Sequence, residues 1–452
     1  MSVTRASHQL KPPRLRVAGW LTWAAFLLVL LLAPMMFASS LSVTILSQIG
    51  IAVVACLSYN VLLGQGGMLS FGHSVYTGLG AFLSIHALNL VSAGKILIPV
   101  SMIPLVGGLA GLFFSALLGW ITTKKSGTTF AMITLGLGEL VFAMSLMFPG
   151  FFGGESGVSG NRVVGEPFLG ISFGPPRQVY YLIAAYTFVS VAALYAFTLT
   201  PLGRMLNAVR DNPERVEFVG YDARRVRYLG FMVAGFFAGI SGGLAALNFE
   251  IVTAEVLSST RSGAYLLFTF IGGTTYFFGP IIGAVLMVLA FTLFSALTKA
   301  WLLYLGLIFM LMVMYAPAGI AGLVMTNLRV ARHGRLLEML PRYLALAAAA
   351  GLMLLGVSVL IEMIYHAKLD GLGGQLRYLG ANWDPRQPLH WAAAAAAALV
   401  GAGLFEWARR RTVVQWECVQ AVIEQEAIQR EVSERKVGNR GAVGKGGDDA
   451  RA

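Results

Sequence analysis

Charge is scarce in this sequence. Only 12% of the 452 residues are Asp, Glu, Lys or Arg, against about a quarter in soluble domains. That is too little polar surface to cover a soluble globule. Cysteine is scarcer still. Cys56 lies in an apolar run and Cys418 in the C-terminal tail, which excludes a disulfide framework and a cysteine metal cluster. A phosphate-binding loop is missing. The nearest approach, Gly444-Lys445, has Asn439 where the first glycine belongs and Gly446 where Ser or Thr is needed. There is no H-E-x-x-H. One G-x-S-x-G occurs, Gly239 to Gly243, but it sits inside an apolar helical run and not on the strand–turn–helix a nucleophile elbow requires. These absences predict a chain with no catalytic residue, no metal site, and no ATP or magnesium of its own.

Apolar residues are abundant, at 57%. Apolar runs fall near 18–38, 43–63, 69–91, 99–121, 129–148, 178–199, 228–248, 264–278, 280–298, 301–316, 343–364 and 390–408. Most reach the roughly 20 residues that cross about 30 Å of hydrocarbon as helix. The fold class expected is an all-α polytopic membrane protein: about ten core transmembrane or re-entrant helices plus two extra C-terminal ones. The run at 264–278 is short and reads as re-entrant or broken. The basic start before residue 18 resembles a signal peptide, but its apolar run is longer than an h-region, so a retained first helix is expected.

The net charge of +12 has a membrane explanation. With the N-terminus in the cytoplasm, alternating spans place 25 of the 33 Lys and Arg residues on cytoplasmic segments. The rest are Lys95, Arg162, Arg177, Arg261, Lys299, Lys368, Arg377 and Arg386. This bias fits the positive-inside rule and needs no nucleic acid. Both termini are then cytoplasmic. The expected organisation is a cytoplasmic N-terminus (1–17), a membrane core (18–325), an extension with two spans (326–408), and an amphipathic then disordered tail (409–452).

Glycine marks where the spans break. In GQGGMLSFGHSVYTGLG, Gly64 and Gly67 oppose helix. Two readings stay open: a tight turn between spans, or an unwound segment lining a polar path beside Ser70, His73 and Tyr76. In IGGTTYFFGPIIGAVL, Gly272–Gly273 and Gly279–Pro280 break the pattern twice. Gly235, Gly239 and Gly243 recur every four residues, a strip where another helix backbone approaches closely.

Glu139 is an acid near mid-span. Its ionised form costs about 2.5–3.5 kcal/mol, and the nine Leu, Ile, Val and Phe residues around it return only about 3–5 kcal/mol. Glu139 is therefore expected to face the bundle interior, as a pathway residue or as a neutral, hydrogen-bonded acid.

Between two spans lies a charged island, VRDNPERVEFVGYDARRVR, from Val209 to Arg227. Asp211 or Asn212 can cap a helix, Pro213 suits its first position, and Glu214 favours its N-terminal dipole. The helix carries Arg215 and Glu217 and stops at Gly220. Val216, Val219 and Phe218 give it an apolar side. Two turns are too short to stand alone in water, so this helix must dock on its own bundle, on the membrane surface, or on a partner.

These motifs, in this order, resemble the permease subunits of bacterial ABC importers for branched-chain amino acids, of the LivM type. The matching stretches are LSYNVLLGQGGMLSFGHSVYTGLGAF, ITLGLGELVF, FGGESGVSG, TPLGRMLNAVRDNPERVEFVGYDARRVRYLGFMVAGFFAGISGGLAAL, IGGTTYFFGPIIGAVL and YAPAGIAGLV. The resemblance implies a second, homologous permease, two cytoplasmic ATPase subunits that hold ATP and magnesium, and a periplasmic binding protein, at the bacterial inner membrane. It implies that the loop with Asp211, Asn212, Pro213, Glu214, Arg215, Glu217 and Gly220 couples to an ATPase. Glu155 and Ser156 would lie at the periplasmic face. The chain departs from the family at Met68, where members usually carry Gln. It departs at Ala264, where many carry an acid, and in Gly-Gly-Glu-Ser-Gly, which often reads GGSDG or GGTDG. These departures bear on the substrate: urea, short amides, other amino acids and organic acids stay open beside branched-chain amino acids. An ion-coupled transporter that uses Glu139 is the alternative mechanism.

Overall fold

A backbone in hydrocarbon must satisfy its own hydrogen bonds, which leaves these apolar runs little choice but helix. A computed structural model describes residues 15–37, 39–163, 172–298, 300–316, 318–332, 336–369, 376–378, 381–383 and 387–445. Helix α1 (Leu15–Met36) leads to α2 (Ser40–Asn60), which runs on through one π turn, Val61–Gln65. Helices α3 (His73–Ser92), α4 (Ile103–Thr122), α5 (Gly127–Met147) and the short α6 (Pro149–Phe152) follow, then strand β1 (Val158–Ser159). Next come α7 (Pro176–Leu199), α8 (Pro201–Asp211), α9 (Pro213–Phe218) and α10 (Ala223–Phe249). Strand β2 (Ile251–Val252) pairs antiparallel with β1. The chain continues through α11 (Ser259–Gly272), α12 (Gly279–Leu289), α13 (Ser295–Leu297), α14 (Trp301–Tyr315) and α15 (Gly319–Arg332). It ends with α16 (Leu336–Leu369), the hairpin β3 (Leu376–Tyr378) and β4 (Ala381–Trp383), and α17 (Pro388–Lys445).

Among the described residues eight helices are long and apolar enough to cross a membrane, or nine if the pair Trp301–Tyr315 and Gly319–Leu328, bent by 50°, is one span. The all-α polytopic class holds. The short run expected near 264–278 is α11, which begins earlier and breaks at Gly273, where φ is 109°. Its 14 residues reach about 21 Å, short of the roughly 30 Å of hydrocarbon.

The chain divides into two compact units, Met1–Leu297 with Leu305–Gly322, and Thr298–Tyr304 with Leu323–Ala452. The hub of the first is α10, which packs on α2, α3, α4 and α8. The glycine strip explains how. Gly235 and Gly239 face Gly107 and Gly111 of α4, and a Cβ on Gly239 would stand 3.0 Å from the Gly111 Cα. On another side Gly80 of α3 approaches so closely that its Cβ would stand 2.7 Å from the Gly239 Cα. Around these seams Phe82, Ile85, Ile103, Ala246 and Leu247 form a buried apolar core.

The second unit is built on α16 packed along α17, with Gly356 and Gly401 at the close approach. Its acid Glu362 is buried and accepts hydrogen bonds from the Thr298 hydroxyl and, at 3.3 Å, the Tyr304 hydroxyl.

A side chain at the α10–α4 seam should be costly. Gly239→Val is expected to destabilise the protein by at least 1–3 kcal/mol, the usual range for overpacking. Gly306→Ala, where a Cβ meets nothing within 4 Å, should be neutral or mildly stabilising. Thermal melting in detergent reads both.

Candidate functional site

The charged island forms three successive capped helices. Helix α8 ends at Asp211, which therefore sits in a helix and does not cap the next one. Asn212 is the cap of α9: its Oδ1 accepts the Arg215 N–H at 3.0 Å, and Pro213 occupies the first turn. At the other end Gly220 takes φ 93°. Its N–H donates to the Glu217 carbonyl at 2.9 Å and the Tyr221 N–H to that of Val216 at 3.2 Å, the paired bonds of a left-handed glycine stop. Asp222 then caps α10, its Oδ1 accepting the Arg224 and Arg225 N–H groups.

The apolar side of α9 differs from expectation. Val216 is buried, but Phe218 and Val219 are 89% and 75% exposed. Val216 follows the α9 helix into the bundle, whereas Phe218 and Val219 fall at the turn into Gly220 and point away. Tyr221 beside them is also exposed. Glu214, Arg215 and Glu217 lie on the same open surface.

Arg210, which sequence patterning counted only as a loop charge, ties this end to the glycine break. Its guanidinium donates to the Gly64 carbonyl and pairs with Asp211 at 3.0 Å. Its side chain covers Gly67, whose φ is 62°. Thr274 O lies where a Cβ on Gly64 would stand only 2.6 Å away. The fold thus gathers Gly64, Gly67, the segment after Gly272–Gly273, and the α8–α9 corner at one end of the bundle.

From this corner residues 66–72 run into the bundle as irregular chain. Ser70 and His73 are fully buried. The Phe71 N–H donates to the Thr134 hydroxyl of α5 at 3.2 Å, and the Ser70 carbonyl accepts from the Tyr59 hydroxyl at 2.9 Å. His73 Nε2 lies 2.9 Å from the Ser58 hydroxyl, and its ring meets Tyr59, Tyr76 and Tyr265 edge-on. Four buried side-chain atoms in this stretch, Asn60 Oδ1, Gln65 Oε1, Ser70 Oγ and His73 Nδ1, have no hydrogen-bond partner among the described residues. Each such group costs about 1–3 kcal/mol.

Glu139 is not brought to this segment. It faces outward from α5, beside the exposed Met132 and Leu140, while Thr134, Gly138 and Val141 make the buried face. This corrects the expectation of an interior acid. Helix α5 is apolar all round, so periodicity gave no face; the side that packs inward carries Phe130, Ala131, Thr134, Gly138, Val141 and Ser145. Glu155 and Ser156 are exposed on the far loop, with the Ser156 hydroxyl donating to the Gly153 carbonyl at 3.1 Å. That loop is clamped by Arg162, a second residue hidden in the charge count. Its guanidinium donates to the carbonyls of Phe173, Gly174, Leu247 and Asn248, and its N–H to Glu250 at 2.9 Å.

Comparison with known proteins decides the class. The model of the family described as branched-chain amino acid transport system / permease component matches residues 41–327. The chain belongs to this family. It is an ABC transporter permease. The high-affinity branched-chain amino acid permease LivM of Escherichia coli is 26% identical over 325 residues, covering 67% of this chain and 75% of LivM. The nucleoside ABC transporter permease NupC of Lactococcus lactis is 26% identical over 254 residues, covering 52% of this chain and 74% of NupC. The probable branched-chain amino acid permease LivH of Methanocaldococcus jannaschii is 25% identical over 275 residues, covering 56% and 82%. No solved structure matches. The residues after 327, most of the second compact unit, lie outside the family match.

Two side chains of the permease can be tested directly. Asn212→Ala removes the α9 cap and should cost about 0.5–2 kcal/mol. Arg210→Ala leaves the Gly64 carbonyl without its charged donor and should cost about 1–3 kcal/mol. Hydrogen exchange should rise over 213–221 in the first variant and over 62–70 in the second.

Proposed function

We propose that this permease is one membrane subunit of a bacterial inner-membrane importer for branched-chain amino acids or related small polar solutes. It works with a second, homologous permease, two cytoplasmic ATPase subunits and a periplasmic binding protein. ATP and magnesium belong to the ATPases.

The observation that carries this reading is the surface of α9. A six-residue helix, capped at both ends, leaves Phe218, Val219 and Tyr221 open among Glu214, Arg215 and Glu217. A helix this short is held only by what it docks on, and one buried valine supplies little. A cytoplasmic ATPase covering the knob accounts for its composition: apolar centre, charged rim. Motion imposed on α9 reaches the glycine break through Arg210 and the Gly64 carbonyl. The unpartnered polar atoms of 60–73 support a segment with a second arrangement, as alternating access requires.

Glu139 then has a place. An acid exposed to lipid at mid-span is unfavourable, and the second permease covers it. The face of α5 carrying Met132, Glu139 and Leu140 lines the path between the two permeases. Nucleosides are the second substrate class, because NupC is a nucleoside permease by name.

Charge reversal at Glu214 and Arg215, or Phe218→Ala with Val219→Ala, should cut ATPase co-purification and leucine uptake at least ten-fold. Unchanged uptake with unchanged assembly would remove α9 from coupling. In a Cys418→Ser background, Glu139→Cys should cross-link to the second permease in membranes. Labelling of that cysteine by a lipid-soluble reagent only, with no cross-link, would place it against lipid. Competing uptake of labelled leucine and uridine separates the substrate classes.

A further inference from the structure

Inside the first unit, away from the outward face of α5, lies a cavity of about 120 Å³ between α2, α3, α10, α11 and α12. Its depth follows from the helices that line it. Gln48 and Ile51 are 8 and 11 residues from the start of α2, about 12–17 Å along the axis. Ser241 is 8 residues from the end of α10, again about 12 Å. The cavity therefore runs from the middle of α2 and α10 to the end of α10, where Phe249, Ile251 and Val252 also line it.

Its wall is mostly apolar, with Ile51, Val256, Met287 and Val288, and the polar groups are few: Gln48, Thr77, Ser241, Arg261 and Tyr265. No Asp or Glu lines it. Arg261 stands in the first turn of α11 and is half-buried. Among the described residues no carboxylate pairs with its guanidinium and no acceptor bonds to it. Arg162, Arg210, Arg225, Arg409 and Arg410 each have a carboxylate within 4.0 Å. A half-buried cation in an apolar wall is favoured when an anion meets it. The hydroxyls are turned elsewhere: Ser241 donates to the Ile51 carbonyl at 2.9 Å and Thr77 to that of Ser74 at 3.0 Å. Their oxygen lone pairs remain as acceptors.

We propose that this cavity is a binding site, within the single permease chain, for a small aliphatic carboxylate: the carboxylate pairs with Arg261 and the branched tail lies on Ile51, Val256, Met287 and Val288. Guanidinium and carboxylate match as a two-bond fork, and an apolar pocket with a few convergent polar groups is the usual form of a small-molecule site. An ammonium group on the same ligand meets only neutral oxygens, those of Gln48, Thr77, Ser241 and Tyr265. The site should therefore accept the deaminated acid as well as the amino acid. The choice of leucine as a probe rests on the function proposed above; the carboxylate preference does not.

The test is equilibrium binding to the full chain in nanodiscs. The probes are L-leucine, 4-methylpentanoate, L-leucinamide and oleate. The two small carboxylates should bind, and leucinamide at least ten-fold more weakly. Arg261→Gln should weaken both carboxylates at least ten-fold. Ala245→Leu, which fills the cavity from α10 and leaves Arg261 in place, should do the same and guards against a folding artefact of the first variant. The proposal is overturned if no small carboxylate binds, if leucinamide equals leucine, or if both variants keep wild-type affinity. It is overturned equally if oleate displaces the small acids, which would make the cavity a membrane fatty-acid site. Leucine uptake by the assembled transporter without binding to this chain would reject the cavity and keep the import function. Binding without uptake would do the reverse.

Discussion

Helix α10 lies against two other backbones at once. With Gly239 facing Gly107 and Gly111 of α4 and Gly80 of α3, three helices meet with no side chain between them. Association in lipid gains little from the hydrophobic effect, because the tails are as apolar as the side chains. Close packing has to supply it. The centre of the first unit is placed by that seam, while α7, α11 and α12 pack on α2. The seam sets α3 with His73 against α2, and it sets the outer half of α10 beside the cavity that Ser241 and Arg261 share.

The breaks in the helices follow from the same physics. Irregular backbone at membrane depth survives only inside protein, and residues 66–72 are held by the Thr134 hydroxyl, the Tyr59 hydroxyl and Arg210 near the Gly64 carbonyl. Helix α11 is a half-length helix for a related reason. Its start is tied to α3, where the Ser74 hydroxyl donates to the Leu257 carbonyl and the Ser74 N–H to the Ser262 hydroxyl. Its end stops at Gly273, where a left-handed φ suits only glycine.

Much of this was legible before the fold was known. Most of the spans, the glycine breaks, the Asn212 and Gly220 stops of α9 and the glycine strip of α10 follow from local rules, although eight or nine helices among the described residues, not twelve, are long enough to cross. Length against bilayer thickness, caps and small-residue spacing act within a few residues of the chain. What misled was direction. Glu139 was expected inside because its charge needs cover, yet α5 turns Thr134 and Gly138 inward and Glu139 out. Phe218 and Val219 were expected to dock, and only Val216 does. In a helix apolar on every side the 3.6-residue period carries no information about which face is buried.

The sequence by itself determined that this is an all-helical membrane permease, where its helices break, and which short helix is capped at both ends. Only the tertiary structure decided what the polar residues meet. Arg162 reaches four carbonyls across the far loop, Arg210 meets a carbonyl 146 residues away, and Arg261 opens on a cavity without an acid. The physical reason is range. Caps, turns and hydrophobic length are settled between near neighbours, whereas a charge is settled by whatever the packed helices bring beside it.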